Sequence, residues 1–367
     1  MRRSAGLGLI IAQLLLAAAC GGASGAPAAS APAAPKAAAP ATSASAAQAP
    51  AASAPAAAPT APPERQSIRY GYVPIVAAAA MYIANDRGYF TEQGIDLEML
   101  SFDSGALMPP ALAAGQLEVG HGTPGPGLFN ALARDIPIKG VAAISFNNTQ
   151  LLIRKELVDQ VHSIADLKGK RISFMVEGAP IDYTMRRLLY QNGMTLQDVD
   201  VQRLSMPDSA SALGNGGIDA AAVVEPFPVL IETRGVGGRA FNAQSLVPQD
   251  QASLVLAGPS FLNRSDAAGA AFLVGFMRGL RDFQGAQQDH KLVDPAVLDI
   301  VSHWTNIPTD VLRQAQNSDW PKDARLDLED LKTQQDFWAQ EGLVQSKADL
   351  SKFVEYKYLD AALAQLR

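Results

Sequence analysis

The sequence predicts an α/β protein of two lobes, each built on a parallel sheet with helices on both faces. Three observations carry this. From residue 67 onward, apolar runs of strand length alternate with stretches of helical period. Gly, Pro, Asp and Ser punctuate them at positions that start or stop elements. An Ala/Pro-rich tract sets off the first residues, and what remains is about 300 residues, the size of two ordinary lobes.

The elements follow in order. "IRYGYVPI" (68–75) is apolar and reads as the first strand. "AAAAMYIANDRGYF" is a helix with Gly88 near its end as a left-handed cap. "IDLEMLSF" (95–102) is the second strand. Asp103-Ser104-Gly105 opens the helix "ALMPPALAAG", where Pro109 and Pro110 fit only near the start. "LEVGHGT" is the third strand, "PGLFNALARD" its helix and "IPIKGVAAISF" (136–146) the fourth strand. A second run repeats the alternation. Its strands are "TQLLIRK", "RISFM", "VDVQRLS" and "IDAAAVVE"; its helices are "APIDYTMRRLLYQNG", "DSASALGNGG" and "PFPVLIETRG". Ser163 caps a short helix ahead of "DLKGK". "ASLVLAG" (252–258) reads as a strand returning to the first lobe. Beyond Ser265 the chain is mostly helical, with Phe272, Leu273, Phe276, Met277, Leu280 and Phe283 on one face. Asp294-Pro295 and Thr309-Asp310 read as further helix caps.

The first residues have their own logic. Arg2 and Arg3, the apolar run Leu7–Leu16 and Ala17-Ala18-Ala19 make residues 1–19 a secretory signal, too short for a permanent span. Cys20, the only cysteine, follows. Residues 20–66 hold no aromatic and no branched apolar side chain. Such a tract cannot offset its ordering entropy by burial, so a disordered tether is expected. Extended, it would reach about 140 Å; as a flexible coil, about 40 Å.

Composition narrows the chemistry. Losing Arg2 and Arg3 with the signal moves the formal net charge from −6 to −8. A mildly acidic body argues against nucleic acid as partner. With no cysteine in the body, disulfides, a thiol nucleophile and Cys-ligated metal are excluded there. The four histidines, His121, His162, His290 and His303, are scattered, and neither G-x-S-x-G nor a Walker loop occurs. No catalytic residue, metal or cofactor is expected.

One motif points elsewhere at first. Gly120, Gly122 and Gly125 spell G-x-G-x-x-G between a strand and a helix, the textual form of a dinucleotide fingerprint. Yet it follows the third strand, no acid lies about 20 residues on to hold a ribose, and Pro124 and Pro126 remove N–H donors. A backbone opened by glycine at a helix start is what survives.

In open parallel sheets, ligands sit at the carboxyl ends of strands, where helix N-termini offer free N–H groups. That selects the turns 73–75, 103–105, 122–125, 147–148, 177–180, 205–208 and 225–227. From them the candidate ligand-binding residues are Pro74, Ser104, Gly122, Thr123, Pro124, Asn147, Asn148, Glu177, Gly178, Ala179, Glu225 and Phe227. Ser104 is an N-cap, a ligand contact or both. Glu177 is a ligand acceptor or a solvated lip residue. Glu225 is a ligand acceptor or a structural partner near the hinge. Phe227 walls the cleft or belongs to the core, and His121 is structural or a ligand contact. No Arg or Lys falls in these turns, while Glu177, Asp208 and Glu225 do. A neutral or zwitterionic organic solute is therefore expected over a multiply charged anion.

The segments "MYIANDRGYFTEQGIDLEML", "ALAAGQLEVGHGTPGPGLFNALARDIPIKGVA", "SIADLKGKRISF", "GGIDAAAVVEPF" and "FVEYKYLDAALAQL" together resemble the solute-binding proteins of ABC importers, in the nitrate/sulfonate/taurine and thiamine-precursor (NMT1/THI5-like) family. Cys20 after the signal resembles the lipidated cysteine of a bacterial lipobox, with Ala17 where Leu is usual. The resemblance implies the type II periplasmic-binding-protein fold: two α/β lobes joined by a two-crossover hinge. Lobe 1 would be 67–147 and 258–367, lobe 2 would be 148–257, with crossovers near Asn147-Asn148 and Gly258-Pro259. It implies a monomer that captures a small polar organic solute, sulfonate/taurine-like or a heterocyclic vitamin precursor. Hinge closure would deliver it to a permease and its ATPase from a membrane anchor in the bacterial envelope. The alternatives are a pyrimidine-precursor-synthesising enzyme of the same fold and a sensory module that presents its ligand.

Overall fold

The structure is a computed structural model that describes residues 65–239 and 250–367. The expected signal, Cys20 and nearly all of the tether lie outside the described residues.

The chain begins as read. Strand β1 (Gln66–Tyr72) starts at the last residue expected for the tether. Helices α1 (Ala79–Asp86) and α2 (Tyr89–Glu92) are separated by Gly88, whose φ of 73° is the left-handed conformation predicted for it. Strand β2 (Ile95–Ser101) leads through a 3₁₀ turn to α3 (Met108–Ala113), with both prolines in its first turn. Strand β3 (Val119–Gly122), α4 (Pro126–Leu132) and β4 (Lys139–Ala143) complete the first run. The second run is β5 (Gln150–Arg154), β6 (Arg171–Ser173), α5 (Pro180–Gln191), β7 (Asp200–Gln202), α6 (Met206–Gly214), β8 (Ala220–Val223), α7 (Phe227–Thr233) and β9 (Gly237–Arg239).

Strand β10 (Leu254–Ala257) and α8 (Pro259–Leu262) precede the long helix α9 (Asp266–Gly285), capped by Ser265. The six apolar residues predicted for one face of α9 are all fully buried. A hairpin of β11 (Gln287–Gln288) and β12 (Lys291–Leu292) leads to α10 (Pro295–Thr305), capped by the Asp294 carboxylate. Helix α11 (Thr309–Gln314) differs from expectation: Thr309 is its first residue, and Pro308 stands at the N-cap. Helices α12 (Leu328–Gln340) and α13 (Lys357–Gln365) end the chain.

Two five-stranded sheets result, ordered β2-β1-β3-β10-β4 and β7-β6-β8-β5-β9. The expected parallel pairing holds for β2-β1-β3 and for β7-β6-β8. It fails at β10 and β5, which run antiparallel to both neighbours. The reason is the hinge. Each of these strands enters its sheet straight from a crossover, at the edge where the parallel strands end, so it must run the other way.

The crossovers lie side by side. Phe146 bridges Gln251 antiparallel, and the Asn147 N–H donates to the Asp250 carbonyl at 2.8 Å. The chain passes from the first sheet to the second between β4 and β5, and it is back in the first sheet by β10. Residues 254–257 therefore sit with the first sheet rather than the second.

Candidate functional site

The carboxyl ends of β1, β3, β6 and β8 face one cavity between the two sheets. Its space open to water centres is about 90 Å³, several times the roughly 10–15 Å³ that one water needs. Val73 and Ile75 line it from the turn after β1, a turn pinned by the Tyr82 hydroxyl donating to the Val73 carbonyl at 2.9 Å. His121 and Thr123 line it from the end of β3, and Asn147, Asn148 and Ser253 from the hinge. The second lobe adds Met175, Ala179, Ile181, Met206 and Glu225.

Six of the twelve predicted residues meet there: Ser104, Thr123, Asn147, Asn148, Ala179 and Glu225. Ser104 is also an N-cap, its hydroxyl oxygen accepting from the Ala106 N–H at 3.3 Å. The one residue caps the turn and lines the cavity.

The other six stand outside the lining. Pro74 points to solvent while its two neighbours face the cavity. Gly122 lies behind it; a Cβ there would meet Leu256 Cδ1 at 2.1 Å. Pro124 is buried beside the lining. Glu177 is the lip residue, exposed and paired with Arg186 at 2.9 Å. Gly178 is backbone scaffolding, with a φ of 80° and its N–H donating to Asp182 at 2.9 Å. Phe227 packs in the second-lobe core.

The glycine motif has a packing reason throughout. A Cβ on Gly120 would crowd Met108, and one on Gly122 would strike Leu256. At Gly125 it would stand 2.3 Å from the Gly178 carbonyl oxygen of the opposite lobe. The third glycine is a lobe-to-lobe contact.

Four residues of the lining carry a buried polar atom with no hydrogen-bond partner among the described residues: His121 Nδ1, Thr123 Oγ1, Glu225 Oε2 and Asn317 Oδ1. Buried polar atoms are seldom left so. Burial holds the His121 imidazole down at about 4, so it is neutral at physiological pH. Burial raises the Glu225 carboxyl; Arg239, 3.0 Å from Oε1, opposes that shift. No Lys or Arg is in the lining.

Asn317, Ser318 and Trp320 complete the wall, and the sequence reading missed them. They lie in the connection between α11 and α12, which no strand precedes, so the strand-end rule does not reach them. The polar run "QNSDW" beside a tryptophan is the one signal that was available.

Seams flank the cavity on both sides. On one, Arg186 of α5 reaches Glu341, just past α12, at 2.6 Å, and Tyr183 packs on Trp338. On the other, Val229 of α7 packs with Val311 and Ala315.

Known proteins share this fold. The family described as NMT1/THI5 like matches residues 76–288. A putative binding protein of Brucella abortus is 32% identical over 162 residues, 44% of this chain and 48% of that protein. The chain thus spans about half the length of the curated relatives it matches first. The alkanesulfonate-binding protein SsuA of Xanthomonas axonopodis pv. citri, bound to MOPS, has a TM-score of 0.65 at 18% identity. That match covers 80% of this chain and 99% of SsuA. The desulfurization enzyme DSZB has a TM-score of 0.61 at 14% identity, covering 83% of this chain and all of DSZB. At such identities the likeness speaks for the fold.

Proposed function

Because the chain belongs to the NMT1/THI5-like family, we propose that it is the solute-binding component of an ABC importer. It captures a small polar organic solute between its lobes and presents the closed form to a permease and its ATPase. The observation that carries this is that four residues lining one interlobe cavity each carry an unpartnered buried polar atom. The reading includes export, a membrane anchor at Cys20 and a monomer, each from the sequence. The folded lobes would be 66–147 with 254–367, and 148–239.

A binding protein is favoured over an enzyme of the same fold. The wall offers no cysteine, and its one histidine is buried and neutral, with no paired nucleophile in the lining. Transport and ligand-presenting sensing share the same cleft chemistry. Calorimetric titration against a solute panel tests the proposal. Saturable binding of one organic solute, lost in Thr123→Val, is expected. Tight binding of nitrate or sulfate alone, with every organic solute inert, would sink the solute class.

A further inference from the structure

Part of the second-lobe wall is carried by a loop, residues 174–179, between β6 and α5. Met175 and Ala179 of this loop line the cavity, while Val176 and Glu177 are exposed. A buried charge cluster holds the loop in place, and Asp182 is its centre. Asp182 stands in the first turn of α5 and is fully buried. An acid there suits the helix start, but its bonds reach well beyond the helix. Oδ2 accepts from the Gly178 N–H at 2.9 Å and from Arg186 Nε at 3.2 Å. Oδ1 accepts from Arg203 Nη1 at 3.0 Å. That same nitrogen donates to the Met175 carbonyl at 2.7 Å, and the Arg203 guanidinium lies over the Phe174 ring. One carboxylate thus pins the loop at Gly178 directly and at Met175 through Arg203.

Arg186, one turn along α5, gives each of its three nitrogens a different carboxylate. Nε goes to Asp182, Nη2 to Glu177 of the loop at 2.9 Å, and Nη1 to Glu341 at 2.6 Å. Glu341 caps the end of α12 in the first lobe. Its side chain is held in turn by the Tyr190 hydroxyl, which donates at 2.7 Å. A planar guanidinium engaged at all three nitrogens has little freedom to turn.

Resting on the solute-binding reading above, we propose that Arg186 and Asp182 are positioning residues that couple lobe closure to the shape of the binding wall. Glu341 fixes the Arg186 guanidinium when the lobes meet. Arg186 and Arg203 then fix Asp182, and Asp182 sets the loop that brings Met175 and Ala179 to the cavity. When the seam parts, the guanidinium turns toward Glu177, and the bond to Asp182, the longest of its three, gives way. The wall takes its binding shape only as the lobes close.

Nuclear magnetic resonance on the free full chain tests this. No solute is needed, so failure here leaves the solute-binding reading standing, and that reading has its own test in calorimetry. Glu341→Gln should speed exchange of the Gly178 amide about fivefold, the worth of one hydrogen bond. It should also move the Arg203 Nε–H resonance, which the Phe174 ring shifts. Arg203 bonds only within the second lobe, to Asp182 and Met175. Its resonance therefore separates the relay from simple parting of the lobes, which would uncover Gly178 where it meets Gly125. Asp182→Asn should move both signals further. Should that variant fail to fold, Glu341→Gln carries the test alone. Faster Gly178 exchange with an unmoved Arg203 resonance, or no change in either, would overturn the relay.

Discussion

At Gly125 the opposite lobe leaves no room for a side chain, since a Cβ would stand 2.3 Å from the Gly178 carbonyl oxygen. That atom is backbone and cannot swing away. Gly125→Ala should therefore weaken solute binding about tenfold or more by holding the lobes apart. The melting temperature of the free protein should change little, because φ at Gly125 is extended and suits any residue. Equal affinity in calorimetry would show that the contact is dispensable. Residue by residue, the sequence was legible where a strand end placed a side chain: Ser104, Thr123, Asn147, Asn148, Ala179 and Glu225 all reach the cavity. It misled where charge or glycine had another employer. Glu177 turns to Arg186, and Gly178 takes a left-handed turn against the facing lobe. Asn317 and Trp320 were illegible because their position depends on how α11 and α12 return to the cleft, a long-range outcome.

Among elements, the second crossover carries an unusual acid pair. Asp250, on the hinge strand, accepts from Arg187 of α5 at 2.9 Å. It also lies beside Asp330 of α12, which accepts from the Gln251 N–H and Gln334. Two buried carboxylates side by side repel, which favours a shared proton. Burial pushes Asp250 up to about 7, Arg187 pulling the other way; burial also raises Asp330. Tyr183 and Asp327 are the other titratable groups nearby, on α5 and before α12. The sign follows from proton binding. Between the ordinary carboxylate range and pH 7 the folded state holds more protons than the unfolded one, so stability falls as pH rises through that window. Asp330→Asn supplies a permanent donor to Asp250 and should flatten the fall, raising the melting temperature at pH 8 by a few degrees and leaving it nearly unchanged at pH 4. Parallel melting curves for both proteins across pH 4–8 would refute the shared proton. The alternation of strands and helices that frames this hinge was legible from apolar period and turn residues. Strand direction was not, because a period of two reads the same both ways; hence the antiparallel β5 and β10 came only with the fold.

For the molecule as a whole, the two sheets repeat one plan: three parallel strands, then a reversed strand delivered by a crossover, then an edge strand. Such a plan leaves two thin connections between lobes, and what keeps the lobes together must come from the seams and the solute. The charged seam is the adjustable one. Arg186 is buried between Glu341 of the first lobe and Asp182 of its own helix, with Glu177 at its outer edge. Glu341→Gln removes one charge across the seam but keeps the shape, and Arg186 retains two carboxylates. A charge-assisted hydrogen bond reduced to a neutral one changes the balance by roughly 1 kcal/mol, about fivefold in the closed-to-open ratio. Spin labels at Leu107→Cys and Val176→Cys, exposed positions on opposite lobes, report the separation when Cys20 is replaced by Ser. Electron–electron distance measurements should give a longer and broader distribution for free Glu341→Gln than for the free native sequence. Saturating solute should return both to one short distance, because a solute held between the lobes ties them together whatever the seam contributes. A distribution that ignores both the substitution and the solute would mean that the lobes form one rigid body, and capture by hinge closure would then be wrong for this chain.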